Sequence, residues 1–240
     1  MKQLIVGLLL WLCGGLPLPA APLRIAVNDA PPYRIVAPPF FGGYYIELIQ
    51  AAGKQAGVEL KFIGVPLKRA FQMLENGDAD LMLGPNRTPE REKFLLFADS
   101  ATFPAEDKVF IVANPLMAIH SLQDLQGKRI DVLAGAAYHP DIDRSGLLNK
   151  HELNSYSQGL QRLLRNHSDL VIIPEAQADY LLQTLKLPLL KSPFHLRGTP
   201  SYLAWSRRTY DKQVALRLAT GLQEVLESEQ GKAIRARYFH

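Results

Sequence analysis

The chain carries a single cysteine, Cys13, among 240 residues. No disulfide framework can therefore hold it, and a folded domain must rest on its hydrophobic core. Past Ala21 no apolar run is long enough to span a bilayer. Charge of one sign is scarce as well: the net excess is only +4, with basic residues scattered along the chain. Arg207-Arg208 and the pair Arg235/Arg237 are the nearest thing to clusters, and aromatic residues do not interleave with them. That pattern argues against nucleic acid as a partner. The sequence also lacks a G-x-S-x-G elbow, an H-E-x-x-H helix and, once a leader is removed, any cysteine nucleophile. Its 6 histidines are dispersed. His139-Pro140-Asp141-Ile142-Asp143 holds ligand-type side chains but reads as a solvated loop. No metal, no cofactor and no catalytic group is expected.

What is present begins with a leader. Lys2 is followed by the apolar run Leu4 to Leu12 and the small-residue zone Gly14-Gly15-Leu16-Pro17-Leu18-Pro19-Ala20-Ala21. This three-part pattern predicts a signal peptide over residues 1–21, cleaved after Ala20 or Ala21, and a periplasmic location. Cys13 then leaves with the leader. Its other role, as a lipoprotein cysteine, fits poorly with the bulky Trp11 and Leu12 before it.

Beyond the leader, 48% hydrophobic and 21% charged residues are ordinary for a globular protein. Leu23 to Val27 alternates and predicts a first strand, followed by the proline-stiffened loop Asn28 to Tyr33. Tyr44 to Lys54 repeats apolar residues at helical spacing and stops before Gly57. A strand over Val58–Val65, a helix over Leu67–Leu74 entered with Pro66 at its first position, and a buried strand Leu81–Leu83 follow. The same alternation resumes with the strands Lys108–Val112, Arg129–Leu133, Leu170–Ile173 and Ser201–Trp205, separated by helical segments. Alternating strands and helices predict an α/β fold with parallel strands.

The stretch from Leu74 to Arg91 is the most informative. Gly77 reads as a helix C-cap, Thr88 as the next N-cap, and Pro89 as the first helical residue. Arg91 then falls in a first turn, where the macrodipole disfavours a cation. One outcome is a bound carboxylate, which suits both a guanidinium fork and free backbone N–H groups. The other is a surface ion pair with Glu90, Glu92 or Asp99.

Several patches resemble the bacterial extracellular solute-binding proteins of family 3, which include polar amino-acid receptors of ABC importers. Pro31-Pro32-Tyr33 is similar to the family's PPF/PPY loop, and Gly43-Tyr44-Tyr45-Ile46-Glu47-Leu48 to its G-F-D-V-D-L pattern. Gly77-Asp78-Ala79-Asp80, Thr88-Pro89-Glu90-Arg91 and Phe97-Ala98-Asp99 follow in the family's order. Ser121 to Lys128 resembles S-L-x-D-L-x-G-K, and Gly231 to Phe239 resembles the family's closing segment. The resemblance spans nearly the whole chain after the leader.

It implies a type II periplasmic-binding-protein fold, with two α/β lobes joined by two hinge crossovers around a ligand cleft. Lobe 1 would comprise 22–113 plus 198–240, and lobe 2 would comprise 114–197, with hinges near Ala113-Asn114-Pro115 and near His195 to Thr199. It also implies a set of ligand-binding residues. Arg91 would grip a carboxylate with Asn86 beside it, while backbone N–H groups of Gly135 and Ala136 would approach the same end. Tyr33 would cover the ligand, and Asp29 of the same loop would be a further ligand-binding residue. Arg69 would offer a second anion contact unless it lies on a solvated helix face, and Tyr138 would close the second lobe's side. Two positions depart from the family. Pro174 stands where amino-acid receptors place the aspartate that pairs with the α-ammonium, with Glu175 one residue later. Tyr45 replaces the first aspartate of G-F-D.

The expected function is capture of a small polar, carboxylate-bearing solute by cleft closure and its delivery to an ABC permease, by a monomer. The other readings are a ligand-sensing receptor for a membrane signalling protein and a dehydratase-like enzyme on the same fold, with Glu175 and His139 as its only candidate groups.

Overall fold

The computed structural model describes residues 21–239. The expected leader and Cys13 lie outside these residues, apart from Ala21. In chain order the first stretch gives β1 (Leu23–Val27), the hairpin β2 (Ile35–Ala37) and β3 (Phe40–Gly42), and α1 (Tyr44–Ala56). It continues with β4 (Leu60–Gly64), α2 (Leu67–Asn76), β5 (Leu81–Asn86), the one-turn α3 (Pro89–Glu92) and β6 (Leu95–Phe97). The middle stretch gives β7 (Lys108–Val112), β8 (Arg129–Leu133), α4 (Pro140–Asp143), β9 (Asn149–Leu153), α5 (Tyr156–Leu164), β10 (Leu170–Pro174), α6 (Glu175–Leu185) and β11 (Leu190–Leu196). The last stretch is β12 (Ser201–Ser206), α7 (Lys212–Glu227) and α8 (Glu229–Tyr238).

The strands form two five-stranded sheets, β4-β1-β5-β12-β6 and β11-β7-β10-β8-β9, besides the small hairpin. The expected parallel pairing holds for β1 with β4 and β5, and for β8 with β9 and β10. β12 runs antiparallel to β5, and β7 runs antiparallel to β10 and β11.

Uninterrupted apolar strands imply burial on both faces, and the packing shows it. In β10, Val171 and Ile173 join one hydrophobic cluster while Leu170 and Ile172 join another on the opposite face. In β7, Val109 and Ile111 fall on the first of those faces, and Phe110 and Val112 on the second. The first sheet divides likewise. Ile25, Leu81 and Trp205 pack with α1 and α7, while Ala26, Met82 and Ala204 pack with α2.

Two local expectations change. Pro66 caps α2 from outside rather than occupying its first position. Helix α3 is only four residues long, and the Thr88 side chain accepts the N–H of Arg91 itself. The backbone amides there are thus partly spoken for, and a single turn carries little helix dipole. The side chain of Arg91 must be explained by its own contacts.

The boundary between the two halves also moves. The sequence assigns residues up to 113 to the first lobe, but β7 pairs with β10 and β11 in the second sheet. The first sheet's contact ends at the bridge Phe103–Ser201, followed by Pro104, which has no N–H to extend a ladder. The first crossover therefore runs over 104–107 and the second over 197–200. They touch: the Gly198 N–H donates to Asp107 Oδ1 at 2.8 Å. A Cβ on Gly198 would lie 1.8 Å from the Glu106 carbonyl oxygen, so only glycine fits where the strands cross.

Candidate functional site

A cavity of about 100 Å³ opens between the ends of the two sheets. Since a water needs about 10–15 Å³ by this measure, it accommodates on the order of several waters, the bulk of a small metabolite. From the first half of the chain Asn28, Tyr33, Arg34, Tyr45, Phe71, Asn86 and Arg91 line it. The first crossover supplies Pro104 and Glu106. Lys108, Leu133, Ala136, Ala137, Tyr138, Tyr156, Pro174 and Gln177 line it from the second sheet and its helices.

Arg91 is buried, with 8% of its surface exposed. Its Nη1 donates to the Asn86 carbonyl at 2.7 Å and its Nη2 to the Gly135 carbonyl at 2.9 Å. The guanidinium lies over the Phe71 ring, 4.3 Å from its centre, within cation–π range. These contacts occupy two of the five N–H donors of a guanidinium. Among the described residues no carboxylate comes within ion-pair distance of it. The surface pair with Glu90, Glu92 or Asp99 is therefore not formed, and Glu92 instead pairs with Arg87. Burial pulls the Arg91 pKa down to about 10, offset only through space by Asp143 and Glu90. A buried, incompletely satisfied guanidinium favours an anion.

Arg34, which the sequence did not single out, is the second buried guanidinium. It donates from Nη1 to the Leu83 carbonyl at 2.9 Å and from Nε to the Asn28 carbonyl at 3.4 Å. Tyr45 covers it at 5.8 Å. Gly84, at φ +79°, makes room for both: an added Cβ would meet the Tyr45 ring at 2.7 Å and Arg34 Nη1 at 3.0 Å. Tyr45 in turn stacks on Tyr33 and Phe103, with ring centres 4.7 and 3.6 Å away. The tyrosine at the family's aspartate position thus builds an aromatic wall.

Glu106 was also missed. Its Oε1 accepts the Ala176 N–H at 2.8 Å, fastening the crossover to the start of α6. Burial raises its pKa, opposed by the Ala176 N–H, the Tyr33 hydroxyl and the charges of Lys108 and Arg34. Burial likewise lowers the pKa of Lys108.

Of the residues expected from sequence, Arg91, Asn86, Tyr33, Ala136 and Tyr138 meet at the cavity. Asn86 also ties the site to the second crossover, its Nδ2 donating to the carbonyls of Thr199 and Pro200 at 3.0 and 3.3 Å. Tyr138 is a wall rather than a lid. Its hydroxyl accepts the Leu133 N–H at 2.8 Å and shares a hydrogen bond with the Tyr156 hydroxyl at 3.1 Å.

Gly135 approaches as foreseen but presents its carbonyl to Arg91. The adjacent Ala136 N–H is taken by the Leu133 carbonyl within the turn. These two residues therefore do not offer the pair of free amides that was expected.

Asp29, Arg69 and Glu175 are not brought to the cavity. Asp29 is exposed and accepts the Val36 N–H at 3.0 Å, bracing the hairpin. Arg69 is exposed because α2 turns Leu67 and Phe71, one helical repeat apart, toward the cavity and so carries position 69 to the other side. Glu175 turns toward β11, pairing with Lys191 Nζ at 3.1 Å and lying 3.7 Å from His195 Nδ1. Gln177 reaches the cavity from the same helix. His139 caps α4 by accepting the Asp141 N–H, whereas the histidine beside Glu175 is His195.

The missed residues had weak signals. Glu106-Asp107-Lys108 is a charged triplet directly before a buried strand and could have drawn attention; Arg34 had nothing local to mark it.

Comparison with known proteins gives the same picture. A profile of the bacterial extracellular solute-binding proteins, family 3, matches residues 23–240. The arginine-binding extracellular protein ArtP of Bacillus subtilis is 28% identical over 141 residues, 57% of this chain and 54% of that protein, so the match spans about half of that relative's length. The fold is similar to that of a Salmonella typhimurium periplasmic binding protein of high arginine specificity. The TM-score is 0.79 and the identity 19%, covering 92% of this chain and 100% of the other. A histidine kinase sensor domain with similarity to periplasmic binding proteins has a TM-score of 0.76 at 19% identity, covering 91% of this chain and 96% of that one. The architecture is therefore the type II periplasmic-binding-protein fold.

Proposed function

The chain belongs to the bacterial extracellular solute-binding proteins of family 3, and from that premise we propose that it captures a small carboxylate-bearing solute in the cavity between its sheets. The observation that carries this reading is Arg91, a buried cation with three donors beyond its carbonyl contacts and an aromatic ring behind it. A carboxylate takes a guanidinium fork through two parallel charge-assisted bonds. The bond from Arg91 to the Gly135 carbonyl shows that its guanidinium already reaches the second half of the cleft. A ligand held there would contact both halves at once.

The two five-stranded sheets support a division into two lobes. The body carrying the first sheet and the body carrying the second rotate about 104–107 and 197–200, and ligand stabilises the closed arrangement by binding it better than the open one. The closed, loaded form is what an ABC permease would receive in the periplasm, and the protein acts as a monomer. A second reading is supported by the fold likeness to a kinase sensor domain: the same closure would signal to a membrane partner. A permease and an ATPase encoded beside the gene would favour import.

The test is a thermal-shift screen of the protein against amino acids, polyamines, organic acids and sugars. A ligand at 100 times its Kd raises stability by about 2.7 kcal/mol. Carboxylate-bearing compounds are expected to supply the hits. Hits confined to sugars or polyamines would refute the reading.

A further inference from the structure

The cavity contains, besides its unpaired cation, an unpaired anion. Among the described residues no lysine, arginine or histidine nitrogen comes within ion-pair distance of the Glu106 carboxylate. It accepts the Ala176 N–H at 2.8 Å and faces the Tyr33 hydroxyl, both neutral donors. Two further acceptors line the same cavity without a donor: Asn28 Oδ1 and Gln177 Oε1. Both residues are more than nine-tenths buried, at 2% and 6% exposure. Asn28 is oriented, because its Nδ2 donates to the Asp29 carbonyl at 3.2 Å, leaving the oxygen as the free end. Buried acceptors without donors are costly and uncommon in folded proteins. Gln177 directly follows Ala176, whose N–H holds Glu106, and both residues line the one cavity.

We propose, resting on the carboxylate reading of Arg91, that Glu106 with the amide oxygens of Asn28 and Gln177 receives an ammonium group of the ligand. An ammonium presents three donors and one positive charge, which matches two neutral acceptors and one carboxylate. The family's own position for an ammonium-reading acid is Pro174 here, and the neighbouring Glu175 is engaged by Lys191 and His195. The acid has thus moved from the second sheet to the first crossover. The solute is a zwitterion, with its carboxylate on Arg91 and its ammonium on Glu106. Because Glu106 lies on a crossover segment and grips α6 through Ala176, reading the ammonium and setting the closed angle involve the same residue.

Isothermal titration of the protein with the standard L-amino acids, and with the carboxylic acid lacking the α-amino group for each one that binds, tests this. The amino acid is expected to bind at least about 100-fold more tightly than its deaminated counterpart, since a site built around donors rejects a ligand without them. Glu106→Gln should cut amino-acid affinity about 30-fold or more while leaving the deaminated acid within about threefold, so that the preference collapses. Gln177→Met, which keeps the side chain's length, should narrow the preference by a smaller factor. It decides the matter if circular dichroism shows that Glu106→Gln does not fold. An unchanged preference in the variants, or equal binding of both compounds by the unaltered protein, overturns the ammonium site. If only plain carboxylic acids bind, and Arg91→Ala abolishes that binding, the ammonium site is wrong and the carboxylate site stands. If neither class binds, both are wrong.

Discussion

The two halves of the cleft are built from similar α/β material but equipped differently. The first half and its crossover bring two guanidiniums, a carboxylate and an aromatic stack of Tyr33, Tyr45 and Phe103. The second half brings one charged side chain, Lys108 at the very start of β7, and otherwise small, apolar, amide or hydroxyl groups whose hydrogen bonds run largely within that half. The contrast suggests a division of work: the first half and its crossover read the ligand's charge, and the second, apart from Gln177, is a preformed wall that closes over it. Substitutions in the first should therefore change affinity more than stability, and those in the wall the reverse.

The largest effect is expected at Arg91. Arg91→Lys keeps the charge but loses the planar fork. It should weaken binding of the best ligand by about 2–5 kcal/mol, roughly 30-fold to a few thousand-fold, as measured by titration calorimetry. Affinity within a few fold of the unaltered protein would erase the distinction between the halves. Tyr138→Phe is its counterpart. It strips the Leu133 N–H of its acceptor and Tyr156 of its partner, so urea unfolding should show a loss of about 1–3 kcal/mol, with Kd nearly unchanged. A large affinity loss without destabilisation would show that the wall around Tyr138 also reads the ligand chemically.

Gly198→Ala tests the join. Its Cβ has no space beside the Glu106 carbonyl, so the crossover must shift, at about 1–3 kcal/mol of stability. Binding should weaken with it, because the displaced segment carries Glu106.

The smallest effect is one of sign. Burial raises the Glu106 pKa above its unfolded value, so its contribution favours folding at low pH and is lost as pH rises through the folded value. Glu106→Gln should accordingly make the ligand-free protein slightly more stable than the unaltered one at pH 7. The gap should close as pH falls below the ordinary glutamate range in denaturation curves. A destabilised variant at pH 7 would mean that the charged carboxylate contributes net stability through Ala176.

Much of this was legible along the chain, and the exceptions have identifiable causes. Strands such as Leu170–Ile173 announced themselves because burial on both faces demands an unbroken apolar run. Gly57 and Gly77 marked helix ends through their left-handed backbone, at φ 64° and 80°. Arg91 was found because Thr88-Pro89 fixed its place, although its burial comes from Phe71 and two carbonyls rather than from a helix dipole. The strands β9 and β11 were missed: Asn149–Leu153 is polar and largely exposed, and Leu190–Leu196 carries a proline and lies at a sheet edge. The place of β7 was misjudged because an apolar strand does not say which of two sheets it will join. Arg34 was invisible, and Glu106 marked only by its charged neighbours, for a related reason. Each is an ordinary charged residue in a loop until the fold buries it, and only the tertiary arrangement turns it toward the cavity.

The most direct measurement is a crystal structure of the protein with the tightest ligand from the thermal-shift screen. The account predicts a carboxylate of that ligand within about 2.7–2.9 Å of the Arg91 guanidinium nitrogens, between the two sheets. A ligand seated elsewhere, with Arg91 bonded only to the Asn86 and Gly135 carbonyls, would contradict it.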